Sequence, residues 1–421
     1  MHYKLKKLPS GLRVIACEMP NTETVTVLTL IGTGSHYETR EINGISHYLE
    51  HMFFKGTKKY PDASTLNRRI DEIGGVHNAF TSKEETGYWV KAHKDHFHTA
   101  FGFVADILQN ALIPAEEVER ERNVIFEEMK LYWDTPSRYI WDLFEQHYFG
   151  DQPAGWDIIG TKETLSTLHR PDLMKYWKSQ YVASNTVLVV AGNVKAEQVF
   201  ALAAKEFKKL RKGKATGRKP LRAPEKGPRV KVHERVTDQT HLVVGTLGYP
   251  YAHKNRAVAD VLATILGGYM TSRLFIKIRE RRGLAYTVRA GHESAPLSGY
   301  IAVYAGIPQG KYTEVAKYIV EEFKNILKKG VTAEELARAK ANTRGRMAIA
   351  LEGSDEVASF YGSQEIMVGK IQTPDALLAK IDKVTNADIK RVAAELFKPN
   401  QLYAACIGHE IDADALKSAL Q

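Results

Sequence analysis

The stretch GISHYLEHMFFKGT, Gly44 to Thr57, places His47 and His51 four residues apart with Glu50 beside the second. Ile45, Leu49, Met52 and Phe53 recur at helical spacing and form a core-facing stripe. Asn43 reads as the N-cap of this helix and Gly56 as its stop. His47, Glu50, His51 and Phe54 make the neighbouring face. Histidines at i and i+4 point the same way one turn apart, a spacing that lets two imidazoles reach one zinc ion. Glu50 lies beside them, within reach of a proton on an attacking water. The competing reading is a polar helix face carrying two structural histidines. A catalytic zinc site usually takes three protein ligands, so the stretch directs attention to the rest of the chain for a third.

The helical run EEVERERNVIFEEMKLYW, Glu116 to Trp133, supplies candidates. Val118, Val124, Ile125 and Tyr132 define its apolar stripe. Glu121 is i+3 from Val118 and i−4 from Ile125, and Glu128 is i+4 from Val124 and i+3 from Ile125. Both carboxylates are therefore expected inside the stripe, whereas Glu116, Glu117 and Glu127 fit a solvated face. A buried carboxylate is costly unless it is paired or binds metal, with Arg120 or Arg122 as the alternative partners. Seven helical residues separate the two glutamates by about 10 Å, so both cannot ligate one ion. One is expected as ligand and the other as a supporting group.

At 421 residues the chain is expected to form two domains. Apolar residues at 44% and charged residues at 26% fit an ordinary globular protein. Two cysteines, Cys17 and Cys406, argue against a disulfide framework and a thiolate metal site, and fit a reducing compartment. The start, MHYKLKKLPSGLRVIACEM, has no apolar run long enough for a signal peptide, and no stretch reaches membrane-spanning length. The expectation is a cytoplasmic protein without a membrane partner. Net charge is +10, and much of the excess lies in KKLRKGKATGRKPLRAPEKGPRVKVHERV, Lys208 to Val236. This run holds Gly and Pro but no aromatic residue, so residues 208–230 read as a solvated basic linker rather than a nucleic-acid surface. A second histidine group, His93, His96 and His98, is irregularly spaced and reads as surface or packing.

The segments flanking the linker echo each other. LTLIGTGSHYE from Leu28 resembles HLVVGTLGYPY from His241, aligning Gly32 with Gly245. PAEEVERERN from Pro114 resembles TAEELARAKAN from Thr332, and VASNTVLVVAGNV from Val182 resembles FKPNQLYAACIGHEI from Phe397, aligning Asn185 with Asn400. Three matches in the same order at an offset of roughly 215 residues indicate a duplicated unit. Strand-like runs come in groups among longer helical patterns. The fold class expected is α+β: two tandem homologous domains, 1–207 and 231–421, each a mainly antiparallel sheet with helices packed on one face.

His47-x-x-Glu50-His51 followed by Glu128 resembles the inverted zinc motif of the pitrilysin family, which includes insulin-degrading enzyme and the mitochondrial processing peptidase. The resemblance implies His47, His51 and Glu128 as ligands of one Zn2+ per chain, Glu50 as general base and Glu121 as supporting acid. GGVHNAFTSKEETGYW, from Gly74, resembles the family's edge strand, implying that Asn78, Ala79, Phe80 and Thr81 pair with substrate backbone. SRLFIKIRERRGLAYTV, from Ser272, resembles the segment whose arginine and tyrosine enter the active site, here Arg279 and Tyr286. Read from its residues alone, this segment is a helix C-terminus whose basic side chains complement the dipole, ending at Gly283. The second half has no H-x-x-E-H, as in the family's inactive repeat. The implied function is a zinc endopeptidase acting on peptides or short unfolded polypeptides inside a clamshell chamber. A homodimer with shared active sites is implied too, since the family's large single-chain members carry four such units. Two other readings are a peptidase-like structural or chaperone-like subunit, and a nucleic-acid-binding protein that uses the basic linker.

Overall fold

The alternating runs become strands and the 3.6-period runs helices in a computed structural model that describes residues 2–227 and 229–421. Met1, and Pro228 within the expected linker, lie outside the described residues. The first sheet contains β1 (Lys4–Lys7), β2 (Arg13–Glu18), β3 (Thr24–Ile31), β4 (Val76–Thr81), β5 (Thr86–His93) and β6 (Thr186–Gly192), in the order β1-β2-β6-β3-β5-β4. The second contains β7 (Arg229–Glu234), β8 (Thr240–Leu247), β9 (Thr287–Ser294), β10 (Gly299–Ile307) and β11 (Tyr403–Gly408), in the order β7-β11-β8-β10-β9. Each sheet is antiparallel except for one pair, β2 with β6 and β7 with β11. With β1 set aside, the two orders coincide strand for strand. The duplicated unit read from short sequence echoes is thus a duplicated topology.

One face of each sheet packs on several helices, as expected. The other face is apolar too, and a single helix covers it. In the first sheet Ile15, Leu28, Leu30, Val187 and Val189 meet Val357, Ala358 and Tyr361 of the helix Ser354–Val368. In the second, Val243, Tyr300, Tyr304 and Ala405 meet Ile140, Leu143, Phe144 and Tyr148 of the helix Pro136–Phe149. Each covering helix comes from the opposite half of the sequence. The compact units are therefore 1–129, 156–220 and 348–373 for the first, and 130–155, 221–347 and 374–421 for the second. They depart from contiguous domains at 1–207 and 231–421. Periodicity identifies a buried face but not which segment buries it.

The basic linker is an ordered strap. On the first unit, the amide of Ala183 donates to Arg211 O at 2.8 Å and Ser184 Oγ to Gly213 O at 2.7 Å. The Arg211 guanidinium lies 4.3 Å from the Trp177 ring centre, and Arg218 Nε meets Glu84 Oε2 at 2.5 Å. On the second unit, the amide of Arg222 donates to Gln152 Oε1 at 2.8 Å and that of Gly227 to Asn400 O at 2.7 Å. The strand β7 already begins at Arg229, inside the expected linker. Most of the lysines remain exposed, so the segment is solvated in its side chains and anchored in its backbone.

The turn between β4 and β5 is held from three sides. Ser82 closes it with an N–H to Glu85 O at 2.8 Å, and His36 Nδ1 meets Glu84 Oε1 at 2.8 Å. Ser363 Oγ donates to Glu85 Oε1 at 2.7 Å. Glu85 Oε2 is buried without a partner, and burial pushes this carboxyl up to about 7 from 4.5. Between those values the unfolded chain has lost a proton that the folded chain keeps, so stability falls as pH rises through that window. Glu85→Gln removes the penalty. It is expected to raise the melting temperature relative to wild type at pH 8, with the gap closing toward pH 4.5. An identical difference at both pH values in thermal unfolding would refute the assignment.

Candidate metal centre

The H-x-x-E-H residues lie on the helix Ile45–Met52, whose stripe Ile45, Leu49 and Met52, with Phe53, is at most 1% exposed. Its start differs from the expected one. Gly44, at φ +95°, is the N-cap, and a Cβ there would approach Ile159 O to 2.8 Å. The buried Glu38 carboxylate does the capping, accepting the N–H groups of Gly44 at 2.8 Å and Ser46 at 2.9 Å. Asn43 instead donates its side-chain amide to Glu38 at 3.0 Å. An acid seven residues upstream of a helix has no local pattern, so the sequence did not point to it. The helix ends at Met52, ahead of Gly56, whose φ of +118° turns the chain away.

Three side chains converge beside this helix. His47 Nε2 and His51 Nε2 are 3.4 Å apart, and Glu128 Oε2 is 3.7 Å from the first and 3.5 Å from the second. Zinc bonds of 2.0–2.1 Å in tetrahedral geometry put neighbouring ligand atoms about 3.4 Å apart. The three distances match that edge length, and two imidazoles with one carboxylate are a donor set suited to zinc. Among the described residues this is the one group of three such side chains able to hold a metal ion.

Glu128 is reached from the helix Ala115–Trp133. The buried stripe of that helix is Val118, Glu121, Ile125 and Met129. Val124, expected within it, is 48% exposed, and Tyr132 is 36% exposed. Glu128 thus sits beside the stripe rather than inside it, 29% exposed at the side chain, facing the two histidines. Glu121 is buried as expected, and it meets His51 Nδ1 at 2.8 Å and the Lys55 ammonium. Arg120 and Arg122, the alternative partners, pair with Glu117 and Glu119 instead. The two glutamates approach one imidazole at its two nitrogens, so when the ring gives up a proton to bind a metal, Glu121 keeps the remaining one on Nδ1 and leaves the lone pair on Nε2.

The charges are divided unevenly. Burial, with the charge on His51 adding to it, pulls His47 down to about 4. Burial pulls His51 down too, but hydrogen bonds to Glu121 and Glu128 outweigh it and hold this ring up at about 9. The hydrogen bond to His51 lowers Glu128. Burial opposes ionisation of Glu121, yet its bonds to His51 and Lys55 leave it below the usual carboxylate range. Burial raises Glu50, against a hydrogen bond from Thr81 Oγ1 to Glu50 Oε2 at 2.6 Å.

The strand β4, carrying Asn78, Ala79, Phe80 and Thr81, pairs only with β5 and is the sheet's edge. Arg279 and Tyr286 belong to the second unit. Arg279 lies in a π-helical turn, Phe275–Glu280, with its guanidinium 4.8 Å from the Phe275 ring centre and 5.1 Å from that of Tyr286. Tyr286 is 74% exposed, and Gly283, at φ +61°, follows the turn. Arg282 donates to Lys277 O at 2.8 Å, as a basic residue at a helix C-terminus does. His93, 46% exposed at the side chain, faces Glu23 and Asp95, which fits a surface histidine.

The second unit lacks the ligand set at its equivalent positions. The offset aligning Gly32 with Gly245 pairs His47 with Asp260, Glu50 with Ala263 and His51 with Thr264. The offset aligning Pro114 with Thr332 pairs Glu121 with Ala339 and Glu128 with Arg346.

Comparison with known proteins agrees with this division. Residues 13–162 match the family described as Insulinase (Peptidase family M16), and residues 167–343 match the Peptidase M16 inactive domain. The chain is 35% identical over 389 residues to an uncharacterized zinc protease of Bacillus subtilis (strain 168), spanning 92% of this chain and 94% of that one. It is 34% identical over 403 residues to an uncharacterized zinc protease of Mycobacterium leprae (strain TN), spanning 95% and 90%. A protease from Helicobacter pylori superposes with a TM-score of 0.91 at 25% identity, over 97% of this chain and 99% of that one. The fold alone is shared with a chain of complex III2 from Candida albicans, at TM-score 0.85 and 19% identity over 99% of each chain. Matched over nearly its whole length, the chain belongs to peptidase family M16, the pitrilysin family.

Proposed function

We propose that the chain is a zinc endopeptidase that hydrolyses peptides or short unfolded polypeptides, with one zinc per chain. The observation that carries this reading is the convergence of His47, His51 and Glu128 at tetrahedral ligand spacing, with the Glu50 carboxyl near enough to interact electrostatically with His51 and Glu128. When bound, zinc supplies a Lewis acid that polarises the scissile carbonyl and lowers the pKa of the attacking water. His47, His51 and Glu128 hold it, and Glu121 with Lys55 keeps the His51 ring in the ligating tautomer. Glu50 takes the proton from the attacking water and passes it to the leaving nitrogen. Tyr286 and Arg279 donate hydrogen bonds to the tetrahedral oxyanion, a role that suits an exposed phenol beside a guanidinium. Substrate adds as a strand along β4, where backbone groups are read more than side chains, so broad specificity follows.

Glu50→Gln is expected to retain zinc while losing hydrolysis of a quenched peptide by at least about a hundredfold, because acid–base groups supply 10²–10⁴-fold. Glu128→Gln is expected to lose zinc as well. Metal analysis of both purified variants, with Glu127→Gln as the neighbouring control, checks the assignment. Equal zinc loss at 127 and 128, or a Glu50→Gln rate close to wild type, would refute it.

The proposal includes a homodimer in which the zinc residues of one copy work with Arg279 and Tyr286 of the other. Glu50→Gln chains and Arg279→Ala/Tyr286→Phe chains, co-expressed in equal amounts, pair at random to give about half mixed dimers. Each mixed dimer carries one intact site, so activity is expected to recover to roughly a quarter of wild type. No recovery, with mixed dimers demonstrated by differential tagging, would mean that the pair acts within its own chain or plays no part.

A further inference from the structure

We infer that the Thr81 side chain is a positioning residue for Glu50: its hydroxyl fixes one carboxylate oxygen and so aims the other at the water. This rests on the reading of Glu50 as the proton acceptor and goes beyond the part of Thr81 in an edge strand.

The strand itself dictates the direction. Successive side chains of β4 alternate between faces. Phe80 packs toward the sheet face covered by the helix Ser354–Val368. Ala79 packs toward the opposite core, and His77 lies 5.5 Å from the Phe54 ring next to the motif helix. Thr81 shares the face of 77 and 79, which turns its hydroxyl to Glu50 rather than to a strand docking alongside. It donates to Glu50 Oε2 at 2.6 Å.

The restraint is valuable because of what it acts on. A glutamate on a helix has three rotatable bonds, and one hydrogen bond selects among its rotamers. Thr81 donates its proton without losing it, so Oε2 is engaged and Oε1 is left to face the water. The donor is itself held in place. Immediately after Thr81, the amides of Glu84 and Glu85 both donate to Ser82 Oγ, at 3.2 and 3.0 Å. The amide of His36 donates to Lys83 O at 2.9 Å, and Glu84 is held by His36 and Arg218. Gly34 is required beside this turn, since a Cβ there would lie 2.1 Å from Ser82 O. The general base is thereby referenced to the body of the first unit through a turn anchored by His36, Arg218 and Ser363.

Two measurements test this. In the first, Thr81→Val keeps the shape and removes the O–H, whereas Thr81→Ser restores it. On a quenched peptide, Thr81→Val is expected to lower kcat about tenfold or more, with KM within about twofold and zinc content retained. Thr81→Ser is expected to recover most of the loss. In the second, urea unfolding of the metal-free chain is compared for Thr81→Val in the wild-type and Glu50→Ala backgrounds. The substitution should shift the unfolding equilibrium about tenfold in the first background and little in the second, because the bond it removes is already gone. An unchanged kcat, a loss confined to KM, a Ser variant no better than Val, or equal unfolding shifts in both backgrounds would each overturn the inference. These outcomes are separable from failure of the peptidase reading. If Glu50→Gln remains active, that reading falls and the catalytic part of this inference with it. If Glu50→Gln is inactive while Thr81→Val matches wild type, only the inference on Thr81 falls.

Discussion

One imidazole ties the candidate centre together. His51 presents Nδ1 to Glu121 and Nε2 to Glu128, two carboxylates two helical turns apart on the same helix. Side chains whose backbones are about 10 Å apart can meet a single ring only if the helices cross at a fixed distance and angle. The rest of the first unit supplies that constraint. Ile45, Leu49 and Met52 seat one helix, Val118, Ile125 and Met129 the other, and Tyr48 reaches across to the backbone of Val118. A shift of either helix would cost core packing and the buried Glu121 its partners at the same time. The polar pair and the apolar core therefore enforce the same geometry.

Much of this was legible from local pattern. An i, i+4 pair on an amphipathic helix fixes which side chains share a face, and helical rise alone separated Glu121 from Glu128. The duplicated pattern foretold two copies of one α+β unit, whereas the strand order itself came only from the structure. Illegible parts share a physical cause, which is dependence on residues distant in the chain. Val124 has the right spacing for a buried stripe yet is half exposed, because the neighbouring elements cover Met129 and not Val124. Asn43 has the chemistry of an N-cap, but Glu38 takes the same N–H groups with its two carboxyl oxygens. Lys55 and Thr81 touch the functional carboxylates only after the chain folds back.

The two units show how little separates a site from a scaffold. Strand order is shared, and the helix Arg256–Gly267 occupies the place of the motif helix. Ala263, buried, stands where Glu50 would be, and Ala339, fully buried, where Glu121 would be. A core position that holds a paired carboxylate in one copy holds a methyl group in the other, and the second avoids the cost of desolvating a charge. In exchange, the second unit carries the stacked Arg279 and Tyr286 on its surface.

The exchange of covering helices has a consequence for synthesis. The second face of the first sheet, with Ile15, Leu28, Val187 and Val189, is complete once β6 has been made, but the helix that shields it ends at Val368. At about 5–20 residues per second, that apolar surface stays open to water for roughly ten to forty seconds on the ribosome. Exposed apolar surface of this kind makes a folding intermediate prone to aggregation. A polypeptide cut at the strap would leave both fragments with a bare sheet face. The point where the sequence repeat joins is therefore not a boundary between self-contained folding units.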